Sequence, residues 1–163
     1  MIKESLLAFL FPPLCPFCKR LKDSTLLFCD ACLSAISFEH EVMQYTKEKT
    51  LVFEGRCFEK TPPIENFYKS FIQDKHPKKL KLIVDIVLVQ IKTLGFDNID
   101  ALYSPLKRRE GSSLIEQLSK ILDIPLVLEN INNQIVLSIF PSEKDLSVLL
   151  NSSCQTLYVL EFY

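Results

Sequence analysis

At 163 residues, 48% of them hydrophobic and 24% charged, the chain is long enough to bury a sizeable core and too apolar for wholesale disorder. A formal net charge of −1 excludes a whole-protein electrostatic affinity for nucleic acid. The balance is uneven: residues 61–110 carry nine Lys or Arg against six acids, and residues 111–163 carry two against six, which leaves room for a basic face in the middle.

Residues 3–11 read as a short apolar helix stopped by Pro12-Pro13. That stretch runs into Pro12-Pro13-Leu14-Cys15 with no small-residue cleavage site, so it does not read as a secretion signal, and Leu14 is too large ahead of Cys15 for a lipoprotein. The run Leu82–Ile91 is too short to span a bilayer and carries Asp85 and Gln90. The expectation is a cytoplasmic chain with no membrane span, in surroundings that keep thiols reduced.

Four cysteines follow in two matching pairs, Cys15-Pro16-Phe17-Cys18 and Cys29-Asp30-Ala31-Cys32. A two-residue gap lets both sulfurs of a pair curl round one point, and two such knuckles supply four thiolates at tetrahedral corners. The spacing therefore predicts one structural zinc per chain, held by Cys15, Cys18, Cys29 and Cys32. Such a closed site holds structure and does no chemistry, because no coordination position is open. A thioredoxin-like redox pair and disulfides are the competing readings of the same motif. Cys57 and Cys154 have no neighbouring partner in sequence and read as ordinary buried thiols.

Ser34–Thr50 reads as a helix tail and polar connector, closing a first unit over residues 1–50. A second unit, residues 51–163, alternates strand and helix signals. Leu51-Val52-Phe53 begins a strand that Gly55 interrupts. Pro77 suits the first position of a helix over Lys78–Leu94, ended by Gly95 and apolar on nearly every side after Leu82. Ile99–Ser104 reads as a strand, Ser112–Leu122 as a helix and Pro125–Leu128 as a strand. Ser142-Glu143-Lys144-Asp145 has the form of a capping box before a helix to Leu150, and Thr156–Tyr163 is a strand by its β-branched and aromatic content. This alternation predicts an α/β fold with a parallel sheet and right-handed crossovers.

Leu10-Phe11-Pro12-Pro13-Leu14-Cys15-Pro16-Phe17-Cys18 and Phe28-Cys29-Asp30-Ala31-Cys32-Leu33 together resemble the two knuckles of the ComF family of competence-associated proteins. Phe67-Tyr68-Lys69-Ser70-Phe71-Ile72 and the helix after Pro77 resemble the opening of that family's second domain, and Asp100–Gly111 is similar to its strand and basic turn. The resemblance implies an N-terminal zinc ribbon joined to a type I phosphoribosyltransferase-like domain. It also implies two adjacent acids and a glycine-rich loop for phosphoribosyl pyrophosphate after a C-terminal strand. Here the strand Leu157–Tyr163 offers only Glu161, and no glycine follows Gly111. Such a loop needs glycine so that its backbone can approach a phosphate closely. The chain thus reads as a truncated, degenerate member: an accessory protein of DNA uptake, leaning away from catalysis, with a small-molecule substrate not expected.

Its expected partner is single-stranded DNA or a protein of the competence machinery. Candidate phosphate contacts are Lys78, Lys79, Lys81, Lys107, Arg108 and Arg109, with Phe67, Tyr68 or Phe71 available to stack on bases. The bland alternative is a solvated helix start and turn, with the aromatics in the core. A working phosphoribosyltransferase and a zinc-stabilised adaptor that binds protein alone are the rival functions. His40 and His76 have no spacing partners that suggest catalysis, and no Ser-His-Asp, Walker or dinucleotide motif is present.

Overall fold

The computed structural model describes residues 14–15, 18, 20–21, 29–34, 36–73, 77–103, 112–127, 131–132 and 134–163. Its elements in chain order are helix α1 (Asp30–Leu33), strands β1 (Val42–Lys47) and β2 (Thr50–Arg56), and helices α2 (Pro62–Gln73) and α3 (Pro77–Thr93). Strand β3 (Ala101–Tyr103), helix α4 (Ser112–Leu122), strands β4 (Leu126–Val127) and β5 (Ile135–Ile139), helix α5 (Glu143–Leu150) and strand β6 (Thr156–Glu161) complete them. One six-stranded sheet runs in the order β1-β2-β6-β5-β3-β4. All neighbours pair in parallel except β1, which forms an antiparallel hairpin with β2.

The α/β class and the parallel pairing follow the sequence expectation; four strand and helix assignments do not. The expected connector over Ser34–Thr50 contains β1, whose residues pair from Val42 opposite Gly55 to Lys47 opposite Thr50. Gly55 does not interrupt β2. It is buried inside the strand, where a Cβ would come within 2.6 Å of Leu94 Cδ1, so the missing side chain makes room for the end of α3. Strand β5 and helix α2 complete the list; α2 begins on Pro62-Pro63, residues that tolerate a first turn because its N–H groups need no helical partner. The expected helix over residues 3–11 lies outside the described residues.

Central strands of a parallel sheet bury both faces. One face carries the row Phe53, Tyr158, Leu137 and Leu102, register partners across β2, β6, β5 and β3. Helices α2, α3 and α4 cover it, contributing Ile64, Phe67, Ile83, Val84, Val87, Leu114 and Leu118 to one core cluster. Phe96, just past α3, stacks on Tyr158 with ring centroids 4.6 Å apart. The other face carries Val52, Leu157 and Val136 under Leu149 and Leu150 of α5.

Helix α3 is not apolar all round. Ile83, Val84, Val87 and Ile91 are buried, whereas Lys81, Asp85, Val89 and Lys92 face solvent. It stops as expected: Gly95 takes φ 69°, its N–H bonds to Lys92 O, and Phe96 N–H reaches back to Ile91 O. These two bonds form a Schellman motif, which satisfies the last helical carbonyls. Helix α5 starts on the expected capping box. Asp145 N–H donates to Ser142 Oγ (3.3 Å), while Ser142 N–H donates to Asp145 Oδ2 (2.9 Å).

One buried amide ties three segments together. Gln90 is 1% exposed, and its Nε2 donates to Cys57 O (2.7 Å) beyond β2, to Glu39 O (3.2 Å) before β1, and at 3.5 Å to Arg56 O. Gln90→Leu keeps the volume but strands those carbonyls, and should cost about 2 kcal/mol in urea unfolding.

The hairpin turn is a second place where stability is set. Glu48 and Lys49 hold φ of 49° and 81°, left-handed values that side chains with a Cβ resist. Two-residue hairpins favour Asn-Gly at these positions. Glu48→Asn with Lys49→Gly should therefore stabilise the fold by about 1 kcal/mol, read as a higher urea midpoint at unchanged slope.

Candidate metal centre

Leu14 and Leu21 form an antiparallel bridge, and Cys15 N–H donates to Arg20 O (2.8 Å), which brings the two sides of the first cysteine pair together. On the other side Cys29 occupies the N-cap of α1 in an extended conformation (φ −74°, ψ 155°). Its side chain makes no capping bond, so the sulfur is left to the cluster. Cys32 N–H donates to Cys29 O (3.0 Å), wrapping the second pair through one helical turn.

The four sulfurs of Cys15, Cys18, Cys29 and Cys32 lie within 4.8 Å of one another, and Cys18 and Cys29 Sγ are 3.5 Å apart. Sulfurs at the corners of a tetrahedron with metal–sulfur bonds of about 2.3 Å are separated by about 3.8 Å. The cluster matches that scale. It does not match a disulfide, whose sulfurs are about 2.05 Å apart, and all six cysteines are free thiols. Convergence of all four sulfurs is also more than a redox pair requires. The cluster can hold a metal ion.

Burial and charge set what the cluster needs in order to ionise. Cys15 is fully buried and Cys32 nearly so, both packed into the main core. Burial pushes the Cys32 thiol up, and hydrogen bonding with Cys18, Cys29 and Cys15 adds to the effect. Four thiolates cannot share this volume without a compensating positive charge, which a divalent cation supplies.

A short arm joins the centre to the sheet. Glu59 N–H donates to Ser37 O (3.0 Å), Phe38 bridges to Phe58 with rings 5.3 Å apart, and Glu39 O accepts from Gln90.

The other sequence-singled residues are placed as follows. Lys79 Nζ donates to Ser70 Oγ (2.9 Å), pinning α3 to α2. Lys81 is exposed, and because helical residues two apart diverge by about 200°, it projects away from Lys79. Lys78 lies in α3, while Lys107, Arg108 and Arg109 lie outside the described residues, as does His76. Phe67 is fully buried, whereas Tyr68 and Phe71 are half-buried. Cys57 and Cys154 are the buried thiols the sequence suggests: burial alone pushes Cys57 up, and Cys154 Sγ contacts Thr50 Oγ1 and Leu149 O at 3.8 Å.

Sequence reasoning missed an aromatic cluster at the carboxyl end of the sheet. Phe58 follows β2, Phe140 follows β5 and Phe162 follows β6. They converge, Phe162 lying 5.1 Å from Phe58, 5.3 Å from Phe140 and 4.6 Å from Tyr68 between ring centroids. Phe140 takes φ 51° to do so, its N–H held by Leu160 O at 2.7 Å. No spacing in the sequence marks the convergence: Phe162 falls inside the expected strand Thr156–Tyr163, and Phe140 follows β5, which was not expected.

Comparison of the chain with protein-family models, with curated proteins and with solved structures returned no match. Among the described residues, no helix is long and apolar enough to cross a membrane.

Protein prepared under reducing conditions should carry one metal ion per chain by elemental analysis. Cys15→Ser should lose it, whereas Cys57→Ser and Cys154→Ser should leave metal content unchanged.

Proposed function

We propose that the chain is a non-catalytic accessory protein of the ComF type, in which a structural zinc ribbon is fixed to a phosphoribosyltransferase-like α/β domain. Its role in this reading is to bind single-stranded DNA during uptake. Zinc suits a four-sulfur tetrahedral set with no open position, and in that geometry it contributes folding energy and performs no reaction.

The observation that carries the non-catalytic reading is the aromatic cluster. Open α/β sheets hold ligands in a crevice beyond the carboxyl ends of their strands. Here three adjacent strands, β2, β6 and β5, each deliver a phenylalanine into that space, and Phe162 is 4% exposed. In this reading those rings occupy the space a ligand would take.

The polar groups at this end point the same way. Helix α5 follows β5, and its capping box already sets Asp145 N–H on Ser142 Oγ and the Asp145 carboxylate on Ser142 N–H. An incoming phosphate would have to displace that carboxylate. The junction reads Ser138-Ile139-Phe140-Pro141, with neither an acidic pair nor a glycine. Glu161, the acid at the end of β6, is paired with Arg56 at 3.4 Å. Calorimetric titration with phosphoribosyl pyrophosphate and magnesium should show no saturable heat; a saturable isotherm would revive the transferase.

Single-stranded DNA is chosen over a purely protein partner because of the basic segments, Lys78, Lys79, Lys81 and Lys107-Arg108-Arg109. With Lys79 bonded to Ser70 and turned away from Lys81, the other five are left to contact phosphates, and the affinity should fall with salt at a log–log slope near −3.5, from about 0.7 per contact on a single strand. Alanine at Lys107, Arg108 and Arg109 should reduce the slope by about two units. Undetectable binding at low salt, or a triple variant that binds like the parent, would favour the adaptor.

A further inference from the structure

We propose that the outer edge of β1 is a self-association surface, on which a second copy of this chain adds its own β1 antiparallel across a two-fold axis at Gln44. β1 is the terminal strand of the sheet, and among the described residues no strand pairs with its outer side. Exposed strand edges are normally blunted by proline, a bulge or charges within the strand. From Val42 to Thr46 β1 has none of these: it reads Val-Met-Gln-Tyr-Thr, pairs residue for residue with β2, and leaves Met43 51% exposed.

The backbone fixes which register is open. A two-residue turn closes on a pair that exchanges both backbone bonds, here Lys47 and Thr50, and the pattern alternates along the hairpin. Lys47, Tyr45 and Met43 therefore bond inward to β2, while Val42, Gln44 and Thr46 turn N–H and C=O outward. Leu51, opposite Thr46, behaves accordingly and gives its N–H to Gln155 O on its far side (3.3 Å). With the two-fold at Gln44, all three outward residues of each copy meet an outward residue of the other: Val42 with Thr46, Gln44 with Gln44, Thr46 with Val42.

The side chains of that register agree with it. Met43 falls opposite Tyr45 of the second copy on one face, a sulfur–aromatic pair, and Val42 falls opposite Thr46 on the other. At the flanks Glu41 meets Lys47, and Glu39 meets Lys49, each twice by symmetry. Sliding by one residue would set outward groups against inward ones. Moving the axis to Tyr45 would place Lys47 opposite Met43 and Glu48 opposite Val42. Acid before the strand and base after it is the charge order that a two-fold antiparallel pairing satisfies.

Sedimentation equilibrium of the zinc-loaded chain should give twice the 18.8 kDa chain mass. Gln44→Pro removes the central outward donor at a position where an edge strand tolerates proline, and should sediment as a monomer with unchanged circular dichroism. Glu41→Lys alone should weaken the dimer at least tenfold, and adding Lys47→Glu should restore it, which only this register explains. A parent chain that stays monomeric at high concentration overturns the proposal. So does a dimer that survives Gln44→Pro, or a charge swap that fails to rescue. Each of these outcomes leaves the DNA titration free to succeed or fail on its own.

Discussion

Everything in this fold waits on β6. It is the last strand in sequence and it lies between β2 and β5, with Leu157, Val159 and Leu160 fully buried. Its pairing with β2 joins Arg56 to Glu161, 105 residues apart. Without β6 the hairpin of β1 and β2 has no sheet to join, and the β5-β3-β4 half gains a second bare edge, at β5. The aromatic plug depends on it too, since Phe162 is placed by the end of β6. Loop-closure entropy must be met before such non-local contacts return anything, so the topology makes folding cooperative and comparatively slow.

What could be read from the sequence was the local chemistry. Two C-x-x-C pairs, Pro77 and Gly95 around α3, and the Ser142–Asp145 box each act within a few residues, so each carries its own signature. Strand β1 escaped because its turn is Glu48-Lys49, which lacks the Asn or Gly that announces a hairpin. Strand β5, Ile-Val-Leu-Ser-Ile, is a five-residue apolar run whose period fits neither template cleanly. The burial of Gly55 was invisible for a different reason: its cause is Leu94, a tertiary neighbour from the far end of α3. For the candidate site, all four cysteines of the cluster were legible, but the buried polar tie at Gln90 and the convergence of Phe58, Phe140 and Phe162 were not. Both are products of topology, and no spacing rule encodes them.

The metal cluster and the sheet are one physical system. Cys15 and Cys32 belong to the same buried cluster as Phe58, Phe67 and the inner residues of α3. The small module therefore has apolar support from the larger one, as a unit of its size requires when its own core is minimal. Ser37, Phe38 and Glu39 meet Glu59, Phe58 and Gln90, and these contacts fix the segment leading into β1.

Gln90 adds a thermodynamic corollary. A single amide holds the arm before β1 and the end of β2 together, and that arm leads back to the sulfur cluster. Linkage of this kind is reciprocal. If the cluster takes up a metal and that ordering reaches β1 through the arm, whatever steadies β1 and β2 from outside would tighten metal binding by the same factor.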